Sequence, residues 1–190
     1  MLSSMNKRHS DLTAWGLEHV KIGQNDTVLD VGCGGGRTVQ RLAAMAGHGK
    51  VHGVDYATAS VEASRKLNAA AIASGQVDIQ QAPVSSLPFP DGAMDVVTAV
   101  ETHYYWRSKP HAMREILRVL KPGGRLLIIA EAYRGRKFNL VFGMGMKLIG
   151  GAYLSPGEHR ELFVEAGYTE AEVFLEPAKG WICATGKKQP

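Results

Sequence analysis

Two carboxylates and a run of glycines stand where a ligand would be held. Asp30 lies in Val28-Leu29-Asp30-Val31, which leads into Gly32-Cys33-Gly34-Gly35-Gly36-Arg37, and Asp55 closes Gly53-Val54-Asp55. Glycine after a strand and before a helix lets backbone approach a ligand, because no side chain intervenes. A dinucleotide fingerprint aligned on Gly32 and Gly34 would need a small residue where Arg37 stands, and Asp30 would repel pyrophosphate. That disfavours an NAD(P)-dependent oxidoreductase. A carboxylate at 30 suits a cationic ligand group, and one at 55 can accept from both hydroxyls of a ribose. Together they describe an amino-acid nucleoside. Cys33, inside the turn, reads as a small packing residue with no base beside it.

A second cluster, Glu101-Thr102-His103-Tyr104-Tyr105-Trp106, follows a run of β-branched residues at 94–100. In open α/β sheets this carboxyl edge is where ligands bind. Glu101 can accept a proton or hold an ammonium group, and His103 can act as a base near neutral pH. The plainer alternative makes His103 a solvated loop residue and Tyr105 and Trp106 core residues. Glu131 is a second carboxylate at the same edge, or a cap on the loop that follows. Arg134, Arg136 and Lys137 read as a solvated loop.

The elements that must position these residues alternate along the chain. Strands are expected at 27–31, 50–55, 77–81, 94–100 and 125–130, with helices at 38–46, 58–74 and 110–120 between them. Lys121-Pro122-Gly123-Gly124 is read as the turn that ends the last of these helices. Ser155-Pro156-Gly157-Glu158 has the form of a capping box opening a helix to Ala166, and 172–175 with 180–185 reads as an antiparallel hairpin. The expected fold class is α/β: a doubly wound, mostly parallel sheet of about seven strands with a C-terminal antiparallel hairpin and helices on both faces.

The 190 residues, 45% hydrophobic and 21% charged, fit one soluble domain spanning 1–190, with a helical region at 1–26. A net charge of +4 from scattered basic residues gives no footprint for nucleic acid. Cys33 and Cys183 lie far apart and suit reduced thiols in the cytoplasm, and no zinc-type spacing or other metal motif is present. The polar start and the absence of ~20 uninterrupted apolar residues argue against a signal peptide or a transmembrane segment. Residues 138–154 carry apolar side chains among interleaved glycines. They are expected to form a lid favouring an apolar or aromatic acceptor, with a packed helix, a homodimer contact in place of a monomer, or a membrane-surface segment as alternatives.

From Thr27 onward the chain resembles the class I S-adenosylmethionine (SAM)-dependent methyltransferases of Rossmann-like fold that act on small molecules. The resemblance rests on Leu29-Asp30-Val31-Gly32-Cys33-Gly34, Gly53-Val54-Asp55, Leu87-Pro88-Phe89-Pro90-Asp91-Gly92 with Met94-Asp95-Val96-Val97, and Arg118-Val119-Leu120-Lys121-Pro122-Gly123-Gly124. It implies SAM as cofactor, S-adenosylhomocysteine (SAH) as product and a small-molecule acceptor. Asp30 and the Gly32–Gly34 backbone would lie near the methionine part, Asp55 on the ribose and Tyr56 against adenine. Pro83 stands where many members carry an Asp for the adenine amino group, leaving the Ala82 carbonyl and the Val84 N–H to read that edge. Nucleic-acid methylation in this fold commonly uses an Asp/Asn-Pro-Pro-aromatic segment after the fourth strand, and Glu101 to Tyr104 has no proline. A SAM-binding regulatory protein without turnover is the remaining alternative.

Overall fold

The computed structural model describes the backbone of residues 2–135 and 153–190, with side chains from residue 9 onward in the first helix. Seven strands form one sheet in the order β3-β2-β1-β4-β5-β7-β6. β1 (Thr27–Val31), β2 (Lys50–Asp55), β3 (Val77–Gln81), β4 (Met94–Val100) and β5 (Leu120–Ala130) run parallel, while β7 (Trp181–Lys187) lies antiparallel between β5 and β6 (Thr169–Glu176). The order reverses between β1 and β4, both outward from β1, which opens a crevice at their carboxyl ends.

The central strands are apolar because helices cover both faces. On one face Leu12 and Leu17 of α1 (Leu2–Leu17), Val39 and Leu42 of α2 (Arg37–Met45) and Val61 of α3 (Thr58–Leu67) pack with Val28, Val51 and Ile129. On the other, Met113 and Ile116 of α5 (Lys109–Val119) and Phe163 of α6 (Pro156–Glu165) pack with Leu29, Val97 and Ile128. β6 is an edge strand, and its alternating exposure reflects one solvated face.

Several expected boundaries are met: β4 spans the residues read from its β-branched run. Ser155 closes the capping box, accepting from the Glu158 N–H while its own N–H donates to the Glu158 carboxylate. Two boundaries are corrected. The helix expected over 58–74 is broken at Asn68 into α3 and α4 (Ala69–Ala73). Asn68 is buried, and its Nδ2 donates to the carbonyls of Gly36 (3.1 Å) and Ser64 (2.9 Å), so a side-chain tie to the glycine turn displaces the regular helix. Lys121-Pro122-Gly123-Gly124 is not a free turn but the start of β5, with a register shift opposite Met94 and Val96. Gly124 is needed there, since a Cβ would stand 2.9 Å from the Asp95 carbonyl. Of the segment 138–154, only Tyr153 and Leu154 are among the described residues; the lid expectation otherwise lies outside them.

Candidate active site

The first turn is built by backbone. The N–H groups of Gly32 and Cys33 both donate to the Val54 carbonyl, at 2.8 and 2.9 Å, which fastens the end of β1 to the end of β2. Gly32 has φ 74, and a Cβ there would lie 2.2 Å from Thr102 Oγ1, so conformation and space both require glycine. At Gly34 and Gly35 a Cβ would meet nothing within 4 Å, leaving the backbone open to whatever occupies the crevice.

Asp55 is buried at 8% exposure and organises this turn. Its Oδ2 accepts from the Gly34 N–H at 3.0 Å and its Oδ1 from the Ala57 N–H at 2.9 Å. Each carboxylate oxygen has a second lone pair, so two ribose hydroxyls can still be accommodated. The same contact sets a carboxylate against the turn amide that a pyrophosphate would use.

Gly32 is shared by two cavities. One, of about 480 Å³, is lined by Asp55, Tyr56, Ala82, Pro83, Val84 and Tyr105. Tyr56 and Tyr105 are the exposed aromatic residues of this wall, at 76% and 58%, and present ring faces on which a base can stack. The other, of about 570 Å³, is lined by Cys33, Gly34, Arg37, Glu101 and, from α1, His9 and Thr13. His9, Thr13, Arg37 and Glu101 place polar groups along its described walls.

Asp30 lies beneath the turn and is not among the residues lining either cavity. Its side chain is 2% exposed and accepts from Thr98 Oγ1 at 2.7 Å. Burial pushes its carboxyl up to about 7, against the Thr98 hydrogen bond and with the help of the nearby Asp55 charge. An approaching ligand cation would restore its charge. Cys33 is packed against Ser64, its thiol pushed up to about 12 by burial and neighbouring carboxylates, so it stays protonated.

His103 departs from its expected surroundings. It is fully buried rather than solvated, and its Nε2 lies 3.1 Å from Nε2 of His159. His159 Nδ1 sits 2.8 Å from the Ser155 carbonyl and must donate there, so its Nε2 accepts from His103. Burial, with His159 and Lys109 adding repulsion, holds His103 well below its ordinary value and keeps it neutral. It borders neither cavity and serves as a tie between the turn after β4 and α6. Trp106 is in the core as read, at 6% exposure, whereas Tyr105 is exposed.

Glu101 does reach the larger cavity. It has φ 57, a left-handed conformation rare for a glutamate, and its N–H donates to the Ile129 carbonyl at 2.9 Å. Its Oε1 accepts from the Tyr104 hydroxyl at 3.1 Å and from the Glu131 N–H. The α1 residues His9, Ser10 and Thr13 on the same wall were not singled out by sequence. The available signal was the spacing of Leu12, Thr13, Gly16 and Leu17, which marks one buried helix face and so fixes what the neighbouring His9 must look toward.

A parallel sheet reversing at β1 and β4, an acid at the end of β2 and an open glycine turn define a nucleoside-binding α/β protein of class I methyltransferase fold. Residues 29–128 match the methyltransferase domain model, and the chain belongs to that family. It is 39% identical over 105 residues to a demethylmenaquinone methyltransferase of Symbiobacterium thermophilum, a match covering 55% of this chain and 42% of that protein. It is 35% identical over 102 residues to an O-methyltransferase of Aspergillus sclerotiorum, covering 53% and 38%. The matched region thus spans well under two thirds of these relatives' own length. Among solved structures, the complex of the Haloferax volcanii Trm112 methyltransferase activator with a methyltransferase superposes with a TM-score of 0.85 at 22% identity, covering 99% of this chain and 93% of that one.

Proposed function

We propose that this chain binds SAM across the first turn and transfers its methyl group to a small-molecule acceptor. The observation that carries this is the division of the crevice at Gly32, with Asp55 and exposed tyrosines on one side and an open glycine backbone with Glu101 on the other. An amino-acid nucleoside has that bipartite shape. Asp55 would hold the ribose, Tyr56 and Tyr105 would flank adenine, and the Ala82–Val84 backbone would read its edge. Pro83 offers no carboxylate to the adenine amino group. The Gly34 and Gly35 backbone would receive the amino-acid end, with buried Asp30 supplying negative charge beneath it.

SAM supplies a methyl group on a sulfonium, which an acceptor lone pair takes in line while the C–S electrons return to sulfur. The chain's part is to align donor and acceptor, exclude water and accept or relay the acceptor's proton. Glu101 faces that step from the larger cavity, and His103, buried and neutral, does not. The acceptor would enter beside Thr13, Arg37 and Glu101 in the described wall.

Calorimetry with SAH and with NAD(H), followed by mass spectrometry of a metabolite extract incubated with labelled SAM, tests this reading. SAH binding with a methylated product is expected. Binding of NAD(H) alone would replace it with an oxidoreductase, and SAH binding without any product would leave a regulatory protein.

A further inference from the structure

The larger cavity carries a side-chain cluster that methyl transfer does not require. Candidate ligand atoms of His9, Glu101 and Glu131 all lie within 4.8 Å of one another, although the residues come from α1, the turn after β4 and the turn after β5. We propose that these three side chains hold a divalent cation of the Mn2+ to Zn2+ group. Its open positions would grip an acceptor hydroxyl flanked by a second oxygen donor; only this second part rests on the methyl-transfer reading.

Separation supports the metal. Three donors about 2.0–2.2 Å from one tetrahedral ion stand roughly 3.3–3.6 Å apart. Atoms within 4.8 Å of one another reach that spacing by a closure of at most about 1.5 Å. His9 is exposed, so its ring can make that movement.

The chemistry of the set points the same way. One imidazole nitrogen with two carboxylates suits borderline cations better than Ca2+ or Mg2+, which prefer oxygen alone. Three protein ligands leave positions open, as catalytic rather than structural sites do.

Each ligand is also held in place. Glu101 keeps a left-handed backbone, and its Oε1 is oriented by the Tyr104 hydroxyl and the Glu131 amide, the outer contacts that aim a ligating carboxylate. Glu131 follows immediately after the fully buried end of β5. His9 sits on a helix pinned from three sides. Arg41 donates to the Ser10 carbonyl (2.8 Å) and hydroxyl (2.7 Å), Leu12 is fully buried, and Gly16 packs on Ile129 so closely that a Cβ would lie 2.5 Å from its Cδ1. An N-terminal helix fastened this firmly presents its histidine beside two carboxylates.

A cation there would lower the pKa of a bound hydroxyl and hold its oxygen toward the methyl group. The proton would pass to solvent, and the oxygen lone pair would form the new C–O bond as the C–S bond breaks.

The test uses the full chain, stripped with chelator and titrated with Mn2+ while free Mn2+ is followed by electron paramagnetic resonance. Zn2+ serves as competitor, and SAH binding is measured in parallel by calorimetry. One Mn2+ per chain is expected, displaced by Zn2+, with His9→Ala and Glu131→Gln each weakening it at least about ten-fold. Thermal melts of both variants should match the parent, which separates ligand loss from misfolding. Failure of both metals to bind while SAH binds overturns the cation site and leaves the methyl-transfer reading standing. Mn2+ binding unchanged by both substitutions overturns it as well. Metal binding without SAH binding supports the site and removes the methyl-transfer reading.

Discussion

The two halves of the crevice are built by different means. On the Asp55 side, backbone shapes the wall: four amides, of Gly32, Cys33, Gly34 and Ala57, converge on Val54 and Asp55 at the ends of neighbouring strands β1 and β2. On the acceptor side, side chains from positions 9, 101 and 131 converge from elements far apart in sequence. A backbone site tolerates little change at its glycines but is indifferent to many side chains. A side-chain site can be altered one residue at a time without disturbing the sheet. The first arrangement suits a ligand that is always the same, and the second suits one that differs between relatives with different acceptors.

Gly32→Ala should separate the halves most sharply. The substitution, at the residue that borders both cavities, forces a side chain into a left-handed conformation and against Thr102. A loss of about 2–5 kcal/mol in urea unfolding is expected, together with loss of SAH binding. Wild-type stability in this variant would show that the turn yields, and that the halves are less tightly joined than their geometry indicates.

Asp30→Asn should move stability and binding in opposite directions. With its folded-state value raised to about 7, Asp30 keeps its proton while the unfolded chain releases one, so it costs nothing below about pH 4 and most above pH 7. Asparagine can still accept from Thr98. The variant should be roughly 2–4 kcal/mol more stable than the parent at pH 8, with a smaller gain at pH 5. Urea unfolding at the two pH values checks this, and SAH affinity should fall if the buried charge serves the ligand's cationic end.

Asp55→Ala should weaken SAH binding by tens-fold, about 2 kcal/mol, by removing a charged acceptor from the ribose position. Calorimetry at fixed salt reads it, and Mn2+ binding should not change. A parallel loss of Mn2+ binding would mean that the two halves are coupled.

The smallest expected effect belongs to the His103–His159 tie. Burial lowers both histidines, so below about pH 6.5 the unfolded chain takes up protons that the folded chain refuses, and stability falls with falling pH. This is the opposite slope to Asp30. His159→Gln should flatten the decline between pH 7 and 5 by roughly 1–2 kcal/mol. An unchanged slope would remove the pair as the source of acid sensitivity.

The turn between β1 and α2 and the acid that ends β2 were legible along the chain, since Gly32 and Asp55 sit at the ends of strands whose apolar runs announce them. β4 and the capping box at Ser155 were equally plain, because short-range periodicity and capping chemistry act within a few residues. What escaped was set by distance. Asn68 looked like one more helical residue until its amide found Gly36, thirty-two positions away. His103 offered no sequence sign of its partner His159, fifty-six positions on, and only that contact turned an apparent loop residue into a buried tie.

The positions of the strands along the chain and of two carboxylates near their ends follow from local patterning, because apolar periodicity and glycine conformation are properties of neighbours in the chain. Which side chains share a cavity is decided only when α1 packs on β5 and the turns after β4 and β5 come together. His9, Glu101 and Glu131 meet through burial of Leu12 and Gly16 against a sheet that does not exist until the whole domain has folded.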